Sequence, residues 1–313
     1  MFEYKDYIYE VYCEGSFTAA SRKLFISQPA LSATVKKMEE KIGCEIFDRS
    51  TTPVRLTEVG KAYIESVKKI RLIEREFANR VSDIANLNQG SVSIGGTNFV
   101  FSCILPEILK KFSNKYPKIK VSLSESFSDD LKDKAIKDSL DIIVDYDFDE
   151  KIFKTYPLKN EKIYISAGNN SAVAQRLKEL AMTREDIKNG NEKNFEKVSI
   201  TEFADEDFLL LKRGNNMHEH AMSIFHEAGV VPNVKMFVDQ MKTSFELSRF
   251  ELGVAFVTDT LIFNSHMKDV VFFRLDTKFD SRTAKIAVKR NSYTSGCIEK
   301  FIALSRGEEG EIY

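Results

Sequence analysis

The stretch FTAASRKLFISQPALSATVKKMEEKIG, residues 17–43, places two amphipathic helical patterns on either side of a Ser-Gln-Pro step. Thr18 is a candidate cap for the first, which would bury Phe17, Ala20 and Leu24; Ala20 is small enough to let the next helix cross closely. Ser27 can cap the second, with Pro29 in a first turn where no backbone N–H is needed. Leu31, Val35, Met38 and Ile42 then form its apolar stripe at helical spacing. Its other face shows Gln28, Ser32, Thr34, Lys36 and Lys37. Upstream, a helical pattern from Tyr4 to Cys13 carries Tyr4, Ile8, Val11 and Tyr12 on one face and can stop at Gly15.

Two helices joined by about three residues, the second showing short polar and basic groups, make a helix-turn-helix pattern. A duplex major groove admits one α-helix whose N-terminal side chains reach base edges. Downstream, CEIFDRSTTPVRLT (44–57) reads as strand, turn, strand: a wing with Thr51 in the turn and Arg49 and Arg55 flanking its tip, where phosphates border the groove. Between Ser16 and Leu56 seven cations face four anions, a local +3 in a chain of net charge −1. Alone, that excess is modest; with the helix pair and the wing it favours DNA over a three-helix protein-contact module.

The segment GSFTAASRKLFISQPALSATVKKMEEKIGCEIFDRS…VRLTEVG resembles the winged helix-turn-helix of the LysR-type transcriptional regulators. Five separated steps occur in the family's order: Gly-Ser-Phe-Thr-x-Ala-Ala, Ser-Gln-Pro-Ala-x-Ser, Glu-x-x-x-Gly, Phe-x-Arg and Leu-Thr-x-x-Gly. Two positions depart from it. Ala33, followed by Thr34, stands where many members carry arginine, which would leave a DNA contact there to Lys36 or Lys37; Ile46-Phe47 replaces the common Leu-Phe. The resemblance implies double-stranded operator DNA as a partner.

From Thr57, a suitable N-cap, to Asn88 one helical pattern runs with Tyr63, Val67, Ile70, Ile73, Phe77, Val81 and Ile84 at spacings of three and four. About thirty residues would make a rod of roughly 45 Å. An apolar stripe on so long a rod needs a partner, and antiparallel pairing with a second copy through Tyr63, Val67, Ile70, Phe77, Val81 and Ile84 is the favoured one. The resemblance implies the same: dimers through this linker helix, pairing further into tetramers.

From Ser91 the texture changes. SVSIGGTNFVFSCILPEILKKFSNKYPKIKVSLSES reads strand, glycine turn, helix, strand; LDIIVDYDF and EKIYISAG add strands, the latter near a crossing to a second lobe. DFLLLKRG, NVKMFV and GVAFVTDTLI are strands of that lobe, alternating with helices near 216–228 and 240–252. VVFFRL, TAKIAVKRN and a last helix return to the first lobe. Residues 183–206 read as a loop-rich insertion. Two α/β lobes enclose a cleft, and ligands in such sheets bind beyond the strands' carboxyl ends. Candidate ligand residues are therefore Thr97, Asn98 and Phe99 after the first strand, Ser126 and Phe127 after the next, and Asp145 and Tyr146 after the third. The second lobe adds Arg213, Asn215 and Thr258. This region also resembles the LysR family's effector-binding region, itself similar to periplasmic binding proteins, on ILPEILKKFSNKYPKIKVSL, LDIIV, FHEAGVVPNV and LGVAFV.

Hydrophobic residues make up 43% of the 313 and charged residues 30%, as in an ordinary soluble protein of two or three domains. No export signal or membrane span is apparent, so the expected location is the bacterial cytoplasm. Scattered Cys13, Cys44, Cys103 and Cys297 suit a reducing compartment and argue against a disulfide framework or zinc site. No phosphate loop, GxGxxG, GxSxG or HExxH motif is present, so no catalytic residues and no cofactor are assigned. In NMHEHAMSIFHEAG, His218 and His220 would point apart, and His218, Met222 and His226 share a face too extended for one tight metal site.

The expected architecture is α+β and multidomain. A winged helix-turn-helix would occupy 1–57 and a linker helix 58–89. An effector-binding region would fill 90–313, with lobe I at about 91–160 and 268–313 and lobe II at about 161–267. The expected function is a sequence-specific DNA-binding regulator controlled by a small molecule in the inter-lobe cleft, with RNA polymerase a further candidate partner. The alternative is a small-molecule receptor whose N-terminal domain mediates protein contacts.

Overall fold

The computed structural model describes residues 1–85, 89–266 and 268–308, which divide into two compact units, Met1–Ala78 and Asn79–Tyr313.

In the first unit, α1 (Lys5–Glu14), α2 (Phe17–Lys23) and α3 (Gln28–Ile42) precede a two-stranded hairpin, β1 (Phe47–Asp48) with β2 (Arg55–Leu56), and then α4 (Glu58–Ile84). The helical spacing meets its purpose: Ile8, Val11, Ala20, Leu31, Val35 and Met38 are buried together with Ile46, Phe47, Ile64 and Val67. Each large aliphatic side chain so buried contributes about 1.5–3 kcal/mol. Gly15 ends α1 in the left-handed conformation, and Ser27 caps α3 by accepting from the Ala30 N–H at 3.4 Å. Thr18, expected to cap α2, is its second residue and is exposed; Ser16 does the capping, accepting from the Ala19 N–H at 3.3 Å. Thr57 Oγ1 accepts from the Gly60 N–H (2.9 Å) at the head of α4. The expected linker end, Asn88, lies outside the described residues.

The stripe on α4 divides. Tyr63 and Val67 are buried in the first unit's own core, because the helix-turn-helix needs that face to close itself. They are therefore not available to a second copy. Ile70 is half-buried, while Ile73, Phe77, Val81 and Ile84 are exposed.

In the second unit, β3 (Gly90–Gly96) leads through a π-helical turn, Val100–Ile104, into α5 (Leu105–Lys115). There follow β4 (Ile119–Glu125), α6 (Ser128–Ile136), β5 (Ile142–Asp145) and the long β6 (Phe153–Gly168). Next come α7 (Ala172–Arg176), α8 (Arg184–Lys188), β7 (Asp207–Leu211), α9 (Asn216–Ala228), β8 (Asn233–Val238) and α10 (Met241–Arg249). The chain finishes with β9 (Ala255–Thr258), α11 (Asp259–Phe263), β10 (Val270–Arg274), β11 (Ser281–Lys289) and α12 (Gly296–Ser305). The main sheet runs β10-β6-β11-β5-β3-β4, with β9 also on β6; β7 and β8 pair in parallel. β3 lies parallel to both β4 and β5, so three carboxyl ends open on one side.

Among the described residues two large cores flank this arrangement, with a smaller cluster of Leu131, Leu140, Ile143 and Phe153 beside them. One holds Val92, Ile94, Phe112, Ile142, Val144, Ile286 and Phe301; the other holds Tyr164, Phe208, Leu210, Phe225, Phe245 and Phe256. Two expectations change here. Val270, Phe272 and Phe273 belong to the second core, and β10 pairs with Tyr164–Gly168 of β6, so the chain rejoins the first lobe at β11 rather than at 268. Residues 183–206 are no loose insertion. Thr183 and Asp186 form a reciprocal capping box at α8, Val198 bridges to Leu275, and Ile187, Val198, Ile200 and Phe203 fill the second core. Among the described residues, no helix is long and apolar enough to cross a membrane.

Candidate functional site

The first unit presents the amino end of α3. Gln28 and Pro29 are exposed and Ser32 is half-buried; Lys36 is exposed, 4.0 Å from Glu40. Ser27 is committed to its cap. Thr34 is turned back on its helix, its hydroxyl donating to the Ala30 carbonyl at 2.9 Å. Lys37 rests over Tyr4, the residue that precedes α1, with Nζ 5.5 Å from the ring centre. In the wing, Thr51 donates to the Pro53 carbonyl at 3.0 Å, and Arg55 is exposed.

Arg49 has a second commitment that the spacing did not announce. Its Nη2 donates to Glu39 Oε2 at 2.7 Å and its guanidinium lies 5.1 Å from the Phe17 ring centre. Glu39, buried on α3, also accepts from the Ile46 and Phe47 N–H groups at 2.9 and 3.2 Å. One carboxylate thus fastens the wing to α3. The signal was present in the sequence, an acidic residue on the buried side of a helix, but its partner lies ten positions on.

The second unit holds a cleft of about 280 Å³ beyond the carboxyl ends of β3, β4, β5 and β7. Of the candidate ligand residues, Thr97, Asn98, Phe99, Ser126, Phe127, Asp145, Tyr146 and Asn215 line it together. Arg213 does not. The chain turns through Gly214 in a left-handed conformation (φ +84°) and leaves Arg213 exposed, while Gly214 and Asn215 face the cleft. Thr258 is fully buried outside the lining: its hydroxyl donates to Glu161 Oε1 at 3.1 Å and caps α11.

Sequence reasoning missed the residue at the cleft floor. Arg282 of β11 is buried, its Nε donating to Glu161 Oε2 at 3.1 Å and its Nη1 to Asn216 Oδ1 at 3.2 Å. Its guanidinium stacks 3.8 Å from the centre of the Tyr146 ring. Tyr146 donates to the same Glu161 Oε2 at 2.6 Å. Burial, aided by Glu161, holds the Tyr146 phenol well above its ordinary range, so it stays a donor. Asn216 reaches Asp147 with its amide, so one side chain on α9 links groups of both lobes. Asp145 closes the floor at 1% exposure. Burial pushes its carboxyl above the usual carboxylate range, against the opposing pull of the Ser128 hydroxyl and the Tyr146 N–H.

The histidines take separate partners. His218 Nδ1 lies 2.7 Å from the Leu211 carbonyl and His220 Nε2 lies 2.7 Å from the Phe279 carbonyl. Among the described residues no group of three or more His, Cys, Asp or Glu could hold a metal ion.

Comparison with known proteins bears on the family and the fold. Residues 6–61 match the family described as bacterial regulatory helix-turn-helix protein, lysR family, and residues 85–189 and 192–309 match the LysR substrate binding domain. The chain is 25% identical over 304 residues to the uncharacterized HTH-type transcriptional regulator YcgK of Bacillus subtilis (strain 168), covering 96% of this chain and 92% of that one. It resembles the crystal structure of CbnR, a LysR family transcriptional regulator, with a TM-score of 0.67 at 16% identity, over 98% of both chains. It also resembles full-length CbnR complexed with its target DNA, with a TM-score of 0.68 at 18% identity, over 96% of this chain and 97% of that one. The chain belongs to the LysR family of DNA-binding transcriptional regulators, which are not enzymes.

Proposed function

We propose that residues 1–57 hold operator DNA through Gln28, Ser32, Lys36 and Arg55, with Arg49 contributing those N–H groups that Glu39 leaves free. In this reading residues 58–89 pair two copies, dimers pair into tetramers, and residues 90–313 bind a small metabolite in the cleft. The regulator would act in the bacterial cytoplasm, with RNA polymerase as the machinery it influences. The observation that carries the DNA reading is the exposed amino end of α3 together with an exposed wing arginine, Arg55. The DNA complex of CbnR supports the same use of the first unit. The apolar residues exposed on α4 support pairing. A metabolite changes the equilibrium between arrangements of the paired subunits only by binding one of them more tightly.

The test is a footprint of the purified chain on DNA upstream of its own gene, titrated with salt. Two protected half-sites that weaken as salt rises are the expected result. Gln28→Ala should relax base preference at one position of each half-site, whereas Arg55→Ala should weaken binding to all sequences and lower the salt slope by about 1. Equal loss on every sequence for Gln28→Ala would remove its base-reading role. Absence of protection on genome-wide fragments would favour the receptor alternative.

A further inference from the structure

The cleft contains an ionisable group that its own fold leaves without a partner. Asp145, the last residue of β5, is 1% exposed and lines the cleft; the Ser128 hydroxyl and the Tyr146 N–H lie near enough to pull on its carboxyl, but neither carboxylate oxygen has a hydrogen bond of acceptable geometry among the described residues. A carboxylate this far from water has lost solvation that only a cation or several donors can replace. Lys132 pulls on Asp145 only through its charge, and two further cations around the cleft are engaged elsewhere. Arg282 is held by Glu161 and Asn216 and stacked on Tyr146, and Lys212 sits 2.9 Å from Asp239. Glu125 brings a second carboxylate to the lining, where it accepts only from the Asn98 amide, at 3.2 Å, among the described side chains. The uncompensated charge facing the cleft is therefore negative, and a concave low-dielectric site concentrates such a field.

We propose that the ligand enters with a protonated amine that pairs with Asp145, which makes the effector a small amine or amino acid. This rests on the cleft being the effector site. The cleft's volume of about 280 Å³ lies near the small end of ligand pockets, which suits a metabolite of that class. A charge-assisted N–H···O bond to a buried carboxylate is among the strongest polar contacts a site can offer. It also discriminates sharply against an analogue that lacks the donor and leaves Asp145 unpaired.

The experiment uses the full-length chain and calorimetric titration with matched pairs: α-amino acids against α-hydroxy acids with the same side chain, and alkylamines against the corresponding alcohols. At least one amine should bind the wild type about tenfold or more tightly than its hydroxyl partner, and Asp145→Asn should remove that preference. Ser126→Trp, which fills the cleft from its rim, should abolish binding. If no amine is preferred by at least about tenfold, or if none binds, the proposal falls. Should Asp145→Asn fail to fold, the wild-type ratio within each pair decides by itself. Acids without an amine that bind wild type and Asp145→Asn equally, but not Ser126→Trp, would keep the cleft as the effector site and sink the amine. Binding that survives Ser126→Trp would place the ligand elsewhere and sink the reading underneath.

Discussion

Glu161 on β6 accepts three side chains at once: the Tyr146 hydroxyl at 2.6 Å, the Thr258 hydroxyl at 3.1 Å and the Arg282 Nε at 3.1 Å. It is fully buried and Arg282 nearly so. Replacing Glu161 with leucine keeps the volume roughly constant but strands a guanidinium, which costs about 3–5 kcal/mol when its buried partner is removed. The two hydroxyls lose an acceptor but can rotate, adding about 1 kcal/mol. For a unit of this size the total corresponds to a fall in Tm of roughly 10–20 °C. The partner change Arg282→Met on top of Glu161→Leu should return stability to within about 2 kcal/mol of wild type, because a well-packed apolar pair replaces the ion pair. With no tryptophan in the chain, scanning calorimetry and far-UV circular dichroism are the suitable assays. The unit Met1–Ala78 contains neither residue and should keep its own transition. A single Glu161→Leu change costing under about 1 kcal/mol, or a double variant as unstable as the sum of the singles, would refute the reasoning.

Other outcomes follow from the same geometry. Phe25, between α2 and α3, is 95% exposed at φ 55°; Phe25→Asn should stabilise the first unit by about 1 kcal/mol in urea titration, since asparagine tolerates that conformation and no burial is lost. Phe77→Glu with Ile84→Glu, at positions 67% and 84% exposed, should shift the chain toward monomer in analytical ultracentrifugation while leaving its circular dichroism unchanged. His220 has its pKa lowered chiefly by burial, with the Phe279 carbonyl opposing, Arg282 lowering and Asp147 raising it. The unfolded chain therefore binds more protons between the folded value and the unfolded value of about 6.5, so this contribution is intact above that range and stability falls as pH drops through it. His220→Gln should flatten that slope; identical slopes in the two proteins would sink the assignment.

The reading head was legible because its signals are local. Ile8, Val11, Leu31 and Val35 follow helical spacing, and Ser27 stands at a helix start. Choosing Ser16 over Thr18 as a cap was not local: the two hydroxyls flank Phe17 at the head of the same apolar run, and packing decides where the chain enters the helix. The cleft was legible where residues follow a strand, since the carboxyl ends of β3, β4 and β5 must point somewhere common. Arg282 and Glu161 were not, because both lie within strands and read as ordinary surface charges until a pairing 121 residues apart brings them together. Arg213 looked like the functional cation of its turn, yet Gly214 turns the next residues, and not Arg213, inward. Residues 183–206 carry apolar groups without a period, since short turns rather than regular helices place Val198, Ile200 and Phe203.

β6 runs unbroken from Phe153 to Gly168, pairing with β11 over its first part and with β9 and β10 over its last. A connection of that kind has no free joint. Moving one lobe against the other has to bend a hydrogen-bonded ribbon, and the softest place is the register shift opposite Ala284 and Lys285, where Leu158 is left out of the ladder. The region behaves as a leaf spring clamped at both ends. Its restoring force grows with displacement, so occupancy of the cleft is expected to be reported as a graded flexing, with the bulge setting the stiffness.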